Sequence, residues 1–507
     1  MRISLCLNAT GISKEAHISL AGGRDALSRS LERFGAFTAP EGQEIVGRWA
    51  VVDPDTELPG ELSDLTVVRP RDTGMPAFLE SLHAASDGAE VLLIVSADAP
   101  FWDPELARRL LSVHEKYVAE YTFADGFPEG LAPEVVSREI LPALLELSRR
   151  YPDVVERHTL FEILQKDINA FDVETELSSV DMRMLRIRLR CDNRRNRLLC
   201  EALLGSAGAG GLTKMDADGL AGYLNDHQEI LRTIPAYLSA QVTSRSSQKP
   251  FYLPDPYPFE GEDREMSPGD FQALVTAFLE FAPDAVVSIS TWGEIALHSQ
   301  VEALLEVSNR VNCRRFLVET SGVGWPQDTV GEILSGRFPS ITWIVDLDAY
   351  SQEVYTRVRG EGYQEAIAFA TRLLERFPEA VYVQSTRMKE NEEDLESFYR
   401  EWKKVTANVI IQKYDHFSQR LPDRRVVDNA PVVRLPCWHL KRDMTVLVDG
   451  TVPMCREDLS GNHVLGNALR EPLEAMWLHG EPLYQRHVRG DYPELCKKCD
   501  DYYTFNF

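Results

Sequence analysis

Residues 285–320 read AVVSISTWGEIALHSQVEALLEVSNRVNCRRFLVET. A β-rich run, AVVSIS, gives way to a helical segment, VEALLEVSNR, and then to a second β-rich run, RFLVET. Strand, helix and strand in that order make one unit of a parallel sheet. The alternation continues on both sides. Upstream, MSPGDFQALVTAFLEF (266–281) sets Ser267 as N-cap, Pro268 at the first helical position and Asp270 near the start, all favourable at a helix amino end. Before it stands a further strand, AYLSAQVTS (236–244), and downstream come TWIVDLD (342–348), AVYVQST (380–386) and NVIIQKY (408–414), separated by YQEAIAFATRLLERF (363–377) and DLESFYREWKKV (394–405). The expected fold class is α/β, with a parallel sheet that is open or closed as a partial barrel.

At 507 residues and 44% apolar content the chain can bury two or three cores, so it is a multidomain protein. The small-residue stretch GSAGAGG (205–211) ends a first unit at 1–204. The helical segment LAGYLNDHQEILRTI (220–234) completes a linker at 205–234, the alternating region fills 235–430 and a small tail occupies 431–507. The stretch SRSSQKPFYLPDPYPFEGEDRE (244–265) is too rich in Pro and Ser for a regular element. A net charge of −25 argues against nonspecific binding to nucleic acid or to an anionic membrane. The strongest apolar runs, such as EVLLIV (90–95), fall short of the roughly 20 residues that span a bilayer. The expected location is cytoplasmic and reducing.

In such a compartment cysteines read as metal or cluster ligands rather than as a disulfide framework. The tail holds Cys437, Cys455, Cys496 and Cys499, spaced C-x17-C and, after 40 residues, C-x2-C. In MTVLVDGTVPMC (444–455) two β-rich runs flank Asp449-Gly450, which predicts a hairpin that places Cys455 on a strand. In ELCKKC (494–499) two sulfurs can approach one centre, with Lys497 and Lys498 offsetting thiolate charge. Four thiolates suit tetrahedral zinc as well as a 4Fe-4S cluster. Cys6, Cys191, Cys200 and Cys313 are scattered and read as structural thiols.

Cys437, Gly450 and Cys455, then Gly466-Asn467, the segment LREPLEAMW ending at Trp477, and Cys496 with Cys499 resemble, in order, the SPASM domain that follows the barrel in many radical S-adenosylmethionine (SAM) enzymes. That resemblance implies an iron-sulfur cluster and, because only DDYYTFNF follows Cys499, ligands for one cluster at most. The region before it resembles the partial (β/α)6 radical SAM barrel. Its matching places are Met266-Ser267-Pro268 with Phe271, TWGEIALH, LVETSG, the segment with Asp346, Asp348, Tyr355, Arg359 and Gly360, and VQSTRMKENEEDLESFYREWKKV. In that family a C-x3-C-x2-C motif holds the cluster that cleaves SAM. Residues 245–253, RSSQKPFYL, contain no cysteine, and serine, proline and leucine cannot replace soft thiolates. SAM cleavage is therefore not expected. What remains of a SAM site by resemblance is Gly293 and Glu294.

Residues 1–204 resemble the cytidylyltransferase-like nucleotide-sugar synthetases and their Rossmann-like sheet. The matching places are LAGGRDALSRSLERF (20–34), VLLIVSADAPFWDPELARRLL (91–111), YTFADGFPEGLAPEVVSREIL (121–141) and RLRCDN (188–193). The resemblance implies a magnesium–nucleotide site on Asp98 and Asp192, since two carboxylates at strand ends suit Mg2+ that bridges substrate phosphates. The segment NATGISKEAHIS offers only Lys14 to neutralise those phosphates.

The three parts together are identified as a member of the spiro-SPASM proteins, a name for an architecture rather than a reaction. Three functions stay open. One is an iron-sulfur protein that transfers electrons, with a redox partner, or binds a small molecule or peptide in the barrel without generating a radical. The second is a Mg-dependent nucleotidyl or glycosyl transferase working through 1–204. The third is a non-catalytic scaffold with a structural metal.

Overall fold

The computed structural model describes residues 1–54, 65–151, 160–212, 215–254, 263–289, 292–427, 430–458 and 461–504. The middle of the irregular stretch, 255–262, Ser290 and Thr291 between AVVSIS and TWGEIALH, and the last three residues of the tail lie outside them. The chain forms two compact units, Met1–Leu231 and Arg232–Phe507. The segment expected as a linker contributes the helix Ala217–Asp226 to the first unit rather than standing apart from it.

The first unit is built on seven strands: β1 (Arg2–Ala9), β2 (Glu44–Val52), β3 (Thr66–Val68), β4 (Val91–Ser96), β5 (Tyr121–Asp125), β6 (Glu134–Ser137) and β7 (Val173–Leu177). Their order is β3-β2-β1-β4-β6-β5-β7, with β6 antiparallel to both neighbours and the other pairs parallel. The central strand β1 is buried everywhere except Arg2, as a parallel strand covered on both faces must be. Trp49, Phe78, Leu92 and Tyr121 anchor the core on one face. This is the Rossmann-like, nucleotidyltransferase-type sheet the sequence predicts.

In the second unit, β8 (Tyr237–Ala240), β9 (Val286–Ile289), β10 (Arg315–Thr320), β11 (Ile341–Asp346), β12 (Val381–Arg387) and β13 (Val409–Lys413) run parallel in sequence order, which is the expected partial barrel. The helix Pro268–Phe281 starts as predicted, with the Ser267 side chain accepting from the Asp270 N–H.

The tail departs from expectation. β14 (Asp443–Val446) does not form a hairpin with β15 (Thr451–Pro453). It lies parallel to β8, Asp443 opposite Tyr237 and Val446 opposite Ala240, as the seventh strand of the barrel sheet. β15 pairs instead with β16 (Val464–Asn467), antiparallel. Asp449-Gly450 does make the predicted tight turn, closed by Leu447 N–H to Thr451 O at 2.8 Å, with Gly450 at φ 83°. The physical reason is the open edge of β8. A row of unpaired backbone groups there outweighs a short hairpin between two runs of three or four residues.

Candidate metal centre and barrel lumen

Each tail cysteine is placed by a short element. Cys437 caps the helix Trp438–Arg442 that feeds β14, Cys455 follows β15, Cys496 sits in the helix Glu494–Lys498 and Cys499 ends it. All four line one cavity, packed about by Leu440, Met454, Tyr484 and Tyr502. Burial pushes the Cys437 and Cys496 thiols up to about 12. It also raises Cys455 and Cys499 well above the usual range, with the neighbouring cysteines and Glu457 adding to the effect. Burial thus favours the neutral thiols, and a cation bound among them would favour the thiolates and release their protons.

The two candidate occupants place different demands on spacing. Among the described residues, ligand atoms of three or more His, Cys, Asp or Glu residues come within 4.8 Å of one another in two places, and neither contains a cysteine. Four sulfurs about 2.3 Å from one zinc would stand roughly 3.8 Å apart. A 4Fe-4S cluster interposes its own irons and sulfides and so takes a wider frame of sulfurs than a single zinc.

The frame is buttressed from outside. Arg434 donates to Cys496 O at 2.7 Å and lies between the Tyr492 and Tyr502 rings, 4.3 Å from each centroid. The Asp501 N–H points at Cys499 Sγ, 3.3 Å away. His439 is held by Asp443 Oδ2 at 2.6 Å and by Asp501 O at 3.0 Å. Although burial opposes it, its bonds to Asp443 and Asp501 raise it to about 10.

The cysteines adjoin the barrel lumen. Along β8–β13 the inward side chains alternate with period two. Tyr237, Val286, Leu317, Ile344, Tyr382 and Ile410 pack as an apolar floor. Two residues further along each strand come Ser239, Ser288, Glu319, Asp346, Gln384 and Gln412, a polar ring at the carboxyl ends. Gln384 Nε2 donates to Glu319 Oε1 at 3.1 Å and Asp346 Oδ1 at 2.7 Å. Above the floor lies a cavity of about 270 Å3, bounded by ring residues and, from the tail, by Thr445, Cys455, Arg456 and Asp501. Cys455 is a wall of both cavities.

Beside Cys455, the carboxylates of Asp415, Glu457 and Asp501 converge within 4.8 Å. Arg456 stands 3.5 Å from Asp415, 3.8 Å from Glu457 and 4.0 Å from Asp501. Burial, then their mutual repulsion, raises Asp415 and Glu457. Sequence reasoning missed this group and the polar ring. The available signals were acids directly after the ligands, in CREDL and CDD, and a polar residue at alternate positions of each apolar strand.

At the other candidate sites the side chains are already engaged. Glu294 accepts from Thr320 Oγ1 at 2.6 Å and from the Ser321 N–H and hydroxyl at 2.8 and 2.6 Å, and it caps the short turn Ile295–Leu297. Its own N–H donates to Arg245 O at 2.7 Å. At Gly293, φ 133°, a Cβ would lie 1.7 Å from Thr243 O, so the backbone just before the cysteine-free stretch rests directly on the turn. Further along, Arg359 is buried between Asp348, Tyr252 and Gln248, and Gln248 also donates to Tyr355 at 3.0 Å. A small cavity remains between them, lined by Gln248, Tyr252, Glu294, Ser321, Asp346 and Arg359.

In the first unit Asp98 is 2% exposed and grips Arg190 in a two-pronged bond, 2.9 Å to Nε and 3.0 Å to Nη2. Asp192 takes Arg188 at 3.3 Å and Asn196 at 2.7 Å. A carboxylate committed to a buried guanidinium is a poor Mg2+ ligand, because binding would strand the Arg190 charge. Beside Lys14, Glu15 pairs with Arg197 at 2.7 Å.

Two family models match separate stretches of the chain. Residues 14–162 match the MobA-like NTP transferase domain family, and residues 437–500 match SPASM, an iron-sulfur cluster-binding domain. An uncharacterized protein of Treponema pallidum (strain Nichols) is 37% identical over 362 residues, covering 69% of this chain and 98% of the relative. Among solved structures, Streptococcus suis SuiB bound to precursor peptide SuiA is similar at 12% identity and TM-score 0.42, over 69% of this chain and 80% of that one. A cytidylyltransferase from Leptospira borgpetersenii is similar at 12% identity and TM-score 0.35, over 45% and 96%. No helix among the described residues is long and apolar enough to cross a membrane.

Proposed function

The chain belongs to one family with its Treponema pallidum relative and has the domain order of the spiro-SPASM proteins, and on that premise we propose that it is a non-radical iron-sulfur protein. Cys437, Cys455, Cys496 and Cys499 hold one 4Fe-4S cluster, and a small polar molecule or peptide group binds in the lumen beside it. The observation that supports this reading is the double position of Cys455, which lines the cysteine cavity on one side and the lumen on the other.

When bound, such a cluster supplies or accepts one electron at a time. The chain's own residues do the rest. Glu319, Gln384 and the serines of the ring offer hydrogen bonds that orient a polar guest. The apolar floor shuts the bottom of the barrel to water. Arg456, set among Asp415, Glu457 and Asp501, offsets carboxylate charge next to the ligand shell. An external redox partner protein delivers the electron.

Anaerobic isolation of the full chain, with metal analysis and an absorption spectrum, tests the reading. Roughly four irons per chain and a brown protein are expected. One zinc and no iron would sink it. The transferase reading of the first unit requires an Asp98 open to metal, and the Arg190 fork argues against it. Calorimetry with CTP and Mg2+ is expected to show no heat, and tight binding lost in Asp98→Ala would restore that reading.

A further inference from the structure

Two histidines line the cysteine cavity, and their environments are opposite. His439 has protein partners on both ring nitrogens. His487 is 2% exposed, and neither Nδ1 nor Nε2 has a hydrogen-bond partner. It sits in the last turn of the helix Glu481–Val488, one turn beyond Tyr484 of the surrounding apolar cluster. Tyr492 packs edge-on against its ring, 5.0 Å between centroids and 84° between planes. The ring is thus held by packing and lines the cavity that the four cysteines share.

A buried imidazole with no partner is disfavoured, because a neutral ring carries one N–H donor and one acceptor that have given up water. Leucine or phenylalanine would fill the same volume at no such cost. The arrangement makes sense if the partner is the group the cysteines hold. Of what a 4Fe-4S cluster presents to its wall, sulfide and thiolate sulfurs are the acceptors, and hydrogen bonds to them stabilise the more negative reduced state.

Resting on the cluster reading above, we propose that His487 donates its ring N–H to a sulfur of the cluster and so sets its reduction potential. It is a positioning residue rather than a fifth ligand, since four thiolates already complete the irons. Arg434, stacked on Tyr492 and bonded to Cys496 O, braces the same wall.

The test uses the anaerobically purified full chain, His487→Leu and His487→Gln. Iron content is measured first, then the potential by spectroscopically followed redox titration. Pulsed electron paramagnetic resonance of the reduced state, in water and in D2O, follows. His487→Leu is expected to keep its iron but to be about tenfold less reduced at a fixed poise, a shift of about 59 mV for one electron. It is also expected to lose an exchangeable-proton coupling that His487→Gln, which keeps an N–H, retains. If the Leu variant fails to hold iron, the Gln variant decides. A wild-type-like potential and coupling there support the proposal, and loss of both overturns it. A full iron complement in His487→Leu with an unmoved potential overturns this inference alone, as does strong nitrogen coupling from His487 bound to iron. Zinc in the wild type overturns the cluster reading and this inference with it.

Discussion

Around Gly293 and Glu294 the side chains of the barrel unit have satisfied one another. Glu294 accepts from Thr320, Ser321 and Ala296, and Arg359 is enclosed by Asp348, Tyr252 and Gln248. Around Cys437, Cys455, Cys496 and Cys499 the reverse holds. The thiols repel one another, and His487 has no hydrogen-bond partner. Both places are buried and polar. Buried polar groups are normally paired, so the contrast is between a site whose polar groups are already partnered and one that holds an unpartnered imidazole.

The contrast can be broken or sharpened by substitution. The largest effect belongs to the cysteine site. Cys496→Ser should lose nearly all bound iron and cost the barrel unit on the order of 5 kcal/mol, since metal binding free energy becomes folding free energy. Iron analysis and denaturant unfolding report both quantities. At the partnered site, Arg359→Met leaves Asp348 buried without its cation and should cost about 3–5 kcal/mol with iron content unchanged. Loss of iron in that variant would show that the two sites are not independent.

Gly293→Ala puts a methyl group against Thr243 O at a positive φ, and about 3 kcal/mol of destabilisation is expected from unfolding midpoints. Glu294→Gln should cost the least, about 1–2 kcal/mol, because the amide oxygen can still accept from Ser321 while the Thr320 bond on the other oxygen is lost. The contrast fails outright if the wild-type protein binds SAM in a calorimeter and Glu294→Gln abolishes the heat.

Much of this was legible in the sequence. Strands AVVSIS, RFLVET, TWIVDLD, AVYVQST and NVIIQKY announce themselves because parallel strands are apolar on both faces, and the Ser267-Pro268 helix start was explicit. The four cysteines were legible because their chemistry allows few other uses in the setting of Lys497, Lys498 and Asp500. The polar ring was not, since Ser288 or Gln384 inside a β-rich run looks like an ordinary strand residue until the barrel turns every second side chain to one axis. Asp415, Arg456, Glu457 and Asp501 come from three segments distant in sequence, and only the fold brings them together. Asp98 shows a different limit: its place at a strand end is legible, but its fork to Arg190, more than ninety positions away, cannot be seen in a local window.

The pairing of β14 with β8 bears on how the protein is born. During synthesis the barrel strands emerge first, and β8 leaves the ribosome with one edge bare. Its partner is not made until Cys437 has been, because that cysteine immediately precedes the helix leading into β14. The tail is therefore no appendage that can be trimmed away. A chain stopped at 430 keeps an exposed edge able to recruit other chains, and aggregation rather than a soluble apo-barrel is its expected fate.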